Sequence, residues 1–448
     1  MSKSTEPVIL KAPASKSMSH RALMAAGLAR GESRLKNMLD SDDLKHTRMC
    51  MAALGAEIAE SGDDLLVKGV DGRIDVPEGR TVFLDVGESG TTCRLMAGIA
   101  SAGRGRFEIS GRGRMHQRPI KSLEKALSVL GVRFSYKELD GCPPVVIRSS
   151  GLPGGVVDIS LEDSSQYLSG VLLGTVLARS ETVINVVGER IVSWPYVHLT
   201  LKIMNQFGSF PEVQILSGSG WENASPEQVR TVEPGKLRFI VHPQKLRART
   251  YQVEGDYSNA SYLLAAGAAG SQPVLVQGLD VDSAQGDRVI LDILQQMGAE
   301  VQIRAEGVLV SSQGLKGVDL DMGACPDLVP TVAVLATLAA GETRIRNVAH
   351  LKIKESDRLS GVFNEISRTG RRCRMLEHGL IVEPGRITAS GEIRFSTYSD
   401  HRMAMSLSLY GLAGINPVLD DSDCVNKSFP GFWKEWAKVS RAAGAVRD

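Results

Sequence analysis

Cationic, acidic and hydroxyl side chains gather in short segments just ahead of apolar helical runs, and their types suit the capture of anions and the movement of protons. In residues 11–21, KAPASKSMSHR, Lys16, Ser17, Ser19 and Arg21 stand where a helix begins, beside the free N–H donors and positive dipole end of its first turn. That is an anion cradle without the glycine spacing of a Walker A loop, although a serine N-cap flanked by solvated cations would have the same sequence. Residues 87–94, GESGTTCR, put glycine and hydroxyls at the mouth of a second apolar helix, with room at Gly90 for a ligand to approach the backbone. Residues 111–119, GRGRMHQRP, bring Arg112, Arg114 and Arg118 together ahead of another helix, as a phosphate site or a solvated patch would. Residues 163–166, DSSQ, and 193–196, SWPY, supply Ser164, Ser165, Gln166, Ser193 and Tyr196, groups that either cap and turn the chain or hydrogen-bond a polar small molecule.

The carboxylates and remaining cations lie further on. Asp327 stands at the mouth of a helix expected over 328–340, an N-cap position from which a carboxylate could also take a proton from a substrate hydroxyl. In residues 352–358, KIKESDR, Lys354 and Arg358 fall at i and i+4 with Glu355 between them, the pattern of a charged helix face. Residues 400–403, DHRM, lead into an apolar helix expected over 404–412 and leave Arg402 at its entrance, where the dipole disfavours a cation unless an anion is near. Lys427, in DCVNKSFP, is one more cation expected at the start of a helix.

The elements behind these loops repeat. Six small-residue helical segments, ending at Gly31, Gly103, Arg179, Gly270, Gly341 and Gly414, recur roughly every 70–90 residues. Five of them are followed about 25–30 residues later by a more amphipathic helix closed at Gly55, Gly131, Gly208, Gly298 or Gly370. The sixth repeat reads as truncated, with residues 429–436 in place of that helix. Between helices lie short β-branched runs such as ETVINVVG and HGLIVEPG. Each repeat therefore reads as βαβαββ, and six of them predict an α/β fold of two three-repeat domains that break near residues 251–255. Residues 217–226, rich in Gly, Ser and Asn, read as an exposed insertion. The first helix of each repeat is apolar on nearly all faces, which predicts burial inside its domain and leaves chemistry to its N-terminal loop.

Composition narrows the partners. The 448 residues are 43% hydrophobic, enough for two cores, and 52 Lys and Arg against 51 Asp and Glu give no global attraction for nucleic acid or membrane. Six widely spaced cysteines without C-x-x-C predict no zinc site, and the lack of an apolar leader or long apolar run predicts a cytoplasmic protein with reduced thiols. Cations placed at helix starts on a nearly neutral chain point to a cleft for substrates carrying several phosphate and carboxylate charges.

LKAPASKSMSHRALMAAGLA, GESGTTCRLMAG, RMHQRPI, SSQYLSG, KIKESDRL and YSDHRMAM, in that order, resemble the 5-enolpyruvylshikimate-3-phosphate (EPSP) synthase family, over residues 9–436. The resemblance implies an enolpyruvyl transferase fold, an inside-out α/β barrel of two domains with the ligand cleft between them. One domain would comprise residues 1–14 plus 254–448 and the other 15–253. It implies transfer of the enolpyruvyl group of phosphoenolpyruvate to the 5-hydroxyl of shikimate 3-phosphate by addition and elimination, releasing phosphate, in aromatic amino-acid biosynthesis. No metal or organic cofactor is implied, and a monomer is expected. By resemblance Lys16, Ser17, Arg21, Ser164, Ser165, Gln166, Ser193, Tyr196, Asp327 and Lys354 bind shikimate 3-phosphate. Lys16, Gly90, Arg114, Gln166, Arg358, Arg402 and Lys427 bind phosphoenolpyruvate. Asp327 would accept the proton of the 5-hydroxyl, and Glu355 or Lys16 would move the proton of the methylene carbon.

Two positions depart from the enteric-type pattern: Glu88 and His350 each stand where that pattern has Asn. Glu88 adds negative charge beside the phosphoenolpyruvate loop, while Gly90 keeps the glycine with which glyphosate is accommodated, so inhibition is expected. The sister family acting on UDP-N-acetylglucosamine carries K-N-x-x-L and a reactive cysteine in a Gly-rich loop; here the motif is SKSMSHR. A non-catalytic anion sensor could dispense with Asp327 and Glu355, and both are present.

Overall fold

The computed structural model describes residues 6–226, 229 and 233–442. It divides into two compact units, the first Lys16–Val253 and the second Met1–Ser15 with Glu254–Asp448. Of the expected first-and-last-residue domain, residues 1–5 and 443–448 lie outside the described residues.

Helices come in pairs, a buried one followed by an amphipathic one. In the first unit they are α1 (Lys16–Leu28) and α2 (Asp42–Ala53), α3 (Gly90–Ala102) and α4 (Lys121–Ser128), and α5 (Gln166–Thr175) and α6 (Pro195–Gln206). In the second they are α7 (Tyr257–Ala269) and α8 (Ile290–Gln296), α9 (Val329–Leu338) and α10 (Arg358–Arg368), and α11 (His401–Leu407) and α12 (Phe432–Ala442). Every residue of α9 except Leu338 is buried, as is every residue of α7 except Ala269, so these helices form the centre of their unit and the sheets its outer layer. The glycines closing α2, α4, α6, α8 and α10, Gly55, Gly131, Gly208, Gly298 and Gly370, all have φ between 74° and 105°. A left-handed residue after the last turn satisfies the free carbonyls, and glycine takes it without a Cβ clash.

The sheets carry the repeat. In Val82–Asp85, Arg104–Ser110, Val145–Ser150 and Arg133–Tyr136, in that spatial order, the first pair is parallel and the others antiparallel, the βαβαββ pattern. The same order holds where the first strand is borrowed from a distance. Thr250–Gln252 pairs parallel with Glu32–Lys36 in the first unit, and Val8–Lys11 pairs parallel with Val274–Gln277 in the second. In the third repeat Gly220–Asn223 pairs with Glu212–Ser217, so the expected insertion is a fifth, edge strand of its sheet.

The sixth repeat is truncated as expected, but at its strands and not at its second helix. Gly391–Phe395 and Ile415–Leu419 pair in parallel, and α12 follows where no full helix was expected. Its apolar side, Phe432, Trp436 and Val439, is buried, and Phe432 stacks on Trp436. Among the described residues the final two strands are what this repeat lacks.

Candidate active site

In the first unit, the order of contacts sets the helix directions. Gln166 at the start of α5 meets Thr91 and Arg94 of α3, while Gly98 meets Gly170 and Gly174 a turn or two later. Contacts that advance together along both helices mean that α3 and α5 run parallel, with their N-termini side by side. They approach backbone to backbone: a Cβ on Gly98 would lie 2.0 Å from the Gly170 carbonyl oxygen. Dipole ends and free N–H groups are thereby concentrated at Gly90, Thr91 and Gln166.

Around that end Lys16 Nζ pairs with Asp43 Oδ2 at 2.8 Å. Behind Lys16, His20 Nδ1 meets Thr47 Oγ1 at 2.7 Å, and Thr47 meets Thr92 at the same distance, joining α1, α2 and α3. Burial pushes the His20 imidazole down to about 3, so it is neutral. Arg21 is buried, and its Nε donates to Thr200 Oγ1 at 2.7 Å while Nη2 donates to the Tyr196 carbonyl at 3.1 Å and Nη1 to that of Ser17 at 3.0 Å. Gln166 accepts from Arg94 at 2.8 Å, donates to Thr91 at 2.9 Å, and takes the Ser164 hydroxyl on its backbone N–H. Ser165 and Ser193 are buried; Ser193 is left-handed at φ 56°. The buried Ser193 Oγ has no hydrogen-bond partner among the described residues. A buried hydroxyl with an unmet hydrogen bond is able to take one from a ligand.

The structure does not gather Arg114 with this group: it is exposed on a 3-10 turn, Gly113–Gln117. Arg118 is the buried arginine of that loop, and its guanidinium lies where a Gly90 Cβ would project, 2.4 Å from Nη2. The exposed Glu88 carboxylate reaches toward Gly113, placing its charge on the same loop.

The second unit assembles its charges the same way. Asp327 faces Arg402, Thr331 faces Ser406 and Thr337 faces Tyr410, so α9 and α11 are parallel. Asp327 Oδ1 accepts from Arg358 Nη1 at 2.9 Å and Oδ2 from Arg402 Nη2 at 2.6 Å. Arg358 also donates to Glu355 at 2.6 Å and, through Nε and Nη2, to Asp400 at 2.7 and 3.2 Å. Burial alone would raise the Asp327 carboxyl, but Arg402, Arg358 and Lys354 hold it well below the usual carboxylate range. Arg358, only 1% exposed, is lowered by burial and raised further by Asp400, Glu355 and Asp327, so its charge is fixed. Lys427 and Ser428 lie at the first turn of α7, where the Ser428 carbonyl accepts from Asn259.

Local structure corrects three expectations here, those for Asp327, Lys354 and Lys427, and meets the one for Arg402. Asp327 is not an N-cap: it lies inside a 3-10 turn, Pro326–Leu328, and α9 begins only at Val329, which turns its carboxylate toward the arginines. Lys354 and Arg358 do not share a helix face, because Asp357 caps Ser360 N–H and starts α10 at Arg358, leaving Lys354 and Glu355 in the preceding bend. Arg402 lies in the first turn of α11, capped by Asp400, and the anion that its position demands is Asp327. Lys427 ends a 3-10 turn, Asp423–Lys427, ahead of α12.

Sequence reasoning missed Asp400, although it lies in the DHRM motif, and the Tyr262 hydroxyl, which accepts from Arg402 Nη1 at 3.2 Å. It also missed Asp43 and Asp287. Asp287 is buried against the Ser258 hydroxyl and pushed up to about 7, first by burial and then by the charge of Asp327. Signals existed only for Asp400.

The sequence model of the family described as EPSP synthase (3-phosphoshikimate 1-carboxyvinyltransferase) matches residues 7–436. Proteins named 3-phosphoshikimate 1-carboxyvinyltransferase are similar to it: that of Shewanella loihica is 36% identical, over 96% of both chains. That of Syntrophobacter fumaroxidans is 38% identical, over 98% of this chain and 100% of its own. Among solved structures, EPSP synthase from Acinetobacter baumannii superposes with a TM-score of 0.74 at 24% identity, covering 96% of this chain and 95% of that one. The enolpyruvyl transferase NikO from Streptomyces tendae gives 0.68 at 17%, over 96% and 94%. With the family matched along nearly its whole length and both charge clusters at the ends of parallel buried helices, the chain belongs to the EPSP synthase (3-phosphoshikimate 1-carboxyvinyltransferase) family.

Proposed function

We propose that this chain transfers the enolpyruvyl group of phosphoenolpyruvate to the 5-hydroxyl of shikimate 3-phosphate in aromatic amino-acid biosynthesis. The observation that carries the reading is Asp327, a carboxylate kept ionised by two arginines at the end of buried helices. An ionised carboxylate is a base for the 5-hydroxyl, and Arg358 and Arg402 can turn to the phosphate and carboxylate of phosphoenolpyruvate, which returns basicity to Asp327. Protonation of the methylene carbon by Glu355 or Lys16 makes C2 electrophilic and the 5-oxygen adds; the tetrahedral adduct then expels phosphate as its methyl carbon returns a proton to that same side chain, which re-forms the enol double bond. Lys16, Ser17, Arg21, Ser164, Ser165, Gln166, Ser193, Tyr196 and Lys354 are assigned to shikimate 3-phosphate, and Gly90, Gln166, Arg358, Arg402 and Lys427 to phosphoenolpyruvate, with the buried Arg118 beside Gly90 taking the place of the exposed Arg114. The two compact units serve as the two domains of a cytoplasmic monomer.

Transfer to UDP-N-acetylglucosamine through a reactive thiol is disfavoured. Cys93 is buried and its thiol is pushed up to about 11 by burial, and burial likewise raises Cys142. The test is phosphate release from phosphoenolpyruvate with shikimate 3-phosphate, with UDP-N-acetylglucosamine, and with neither. Release that needs shikimate 3-phosphate supports the assignment; release with the nucleotide sugar replaces it, and none with either acceptor moves the chain to an anion sensor.

A further inference from the structure

A second cationic surface lies in the first unit, on the sheet of the second repeat. The register places Arg106 opposite Arg148 and Arg148 opposite Arg133, so three arginines form one transverse row on one face of the sheet. All three are exposed. Like charges directly opposite on neighbouring strands destabilise a sheet, and a row of three at strand spacing spans about 10 Å. Among the described residues none of the three, nor Arg80 beside them, has an ion pair or a side-chain hydrogen bond. Glu108, two residues beyond Arg106 on the same strand, is already taken by Lys137. The four guanidinium-bearing residues line a surface pocket of about 500 Å³ together with Ser149, and Glu78 is its one lining carboxylate. A concave site with four unpaired guanidinium groups matches an anion of several charges, since each group can chelate a phosphate with two parallel N–H donors. The volume is that of a small-molecule site.

We propose that Arg106, Arg148 and Arg133, with Arg80, form a binding site for a small molecule carrying two or more phosphate groups, separate from the candidate active site. The probe is inorganic tripolyphosphate, titrated calorimetrically into the full-length protein at low ionic strength, with inorganic phosphate as comparison. One-to-one binding of tripolyphosphate is expected, at least tenfold tighter than phosphate. Arg148→Glu and, independently, Arg133→Ser should each weaken it at least tenfold, while Lys16→Met leaves it unchanged. Circular dichroism should show all three variants folded; Arg148 and Arg133 are exposed, and Lys16→Met keeps an unbranched chain at a part-buried position. No binding, equal affinity for phosphate, or binding that survives Arg148→Glu and Arg133→Ser would overturn the proposal. So would binding lost in Lys16→Met, which would place the anion at the candidate active site.

Discussion

Replacing Asp400 by Asn tests whether the second unit's charge cluster depends on this buried carboxylate. Asp400 is fully buried and accepts from Arg358 Nε and Nη2, from the Ser356 hydroxyl at 2.9 Å and from the Arg402 backbone N–H at 3.0 Å. An Asn in the same rotamer offers one acceptor where Arg358 presents two donors, so one guanidinium N–H would face an amide NH2. A hydrogen bond to a charged group contributes ~1.5–3 kcal/mol, and breaking a buried ion pair costs ~3–5 kcal/mol. Asp327 and Glu355 still offset part of the Arg358 charge, which puts Asp400→Asn at the lower end, ~3 kcal/mol. For a body of 150–250 residues that lowers the thermal midpoint by about 6–12 °C. Asn keeps the N-cap of α11 and Ala does not, so Asp400→Ala should lose ~1 kcal/mol more. Scanning calorimetry of both variants gives the comparison. Midpoints within about 2 °C of the parent for both would show that Asp400 does not hold Arg358, and equal losses in Asn and Ala would remove the role of the cap.

Asp327→Ala should lower phosphate release with both substrates by ~10²–10⁴-fold, the range of a positioned general base, in a steady-state assay; an unchanged rate removes Asp327 from the mechanism. Gly98→Val would drive a side chain into the Gly170 carbonyl and should cost ~1–3 kcal/mol or more, read as a lower denaturation midpoint in urea. His20 binds fewer protons folded, where it titrates near 3, than unfolded, near 6.5. Its stabilisation is therefore complete above 6.5 and lost as pH falls toward 3. Thermal midpoints of His20→Gln should fall less steeply than those of the parent across that window.

The repeat was legible because its punctuation is chemical: Gly55, Gly131, Gly208, Gly298 and Gly370 stand where a helix must end in a left-handed residue. The buried helices were legible from their lack of a polar face. α12 is harder to read because Phe432, Trp433 and Trp436 crowd its first turns, although Lys434 and Lys438 mark the face opposite the buried Phe432, Trp436 and Val439. Loops were harder, since one capping side chain decides where a helix starts: Asp357 moved Glu355 and Lys354 off the helix expected to carry them. The partnership of Arg358 with Asp400 joins residues 42 apart in sequence, and Asp43 reaches Lys16 from a different helix. No spacing rule reads such pairs from one sequence.

The borrowed strand Val8–Lys11 has a consequence for synthesis. Val8 pairs with Val274, so the strand leaves the ribosome about 270 residues before its partner exists. At roughly 5–20 residues per second that delay is about 13–50 s. The first unit can close its last sheet as soon as Thr250–Gln252 emerges. During that interval a β-forming segment exposes unpaired backbone groups, tethered to a first unit that is itself completed only near the end of the wait, the condition under which strands find wrong partners. Nascent chains halted with residues 274–277 still inside the ribosome and with them well outside it should therefore differ in protease protection of the N-terminal segment, a difference governed by chain order and not by stability.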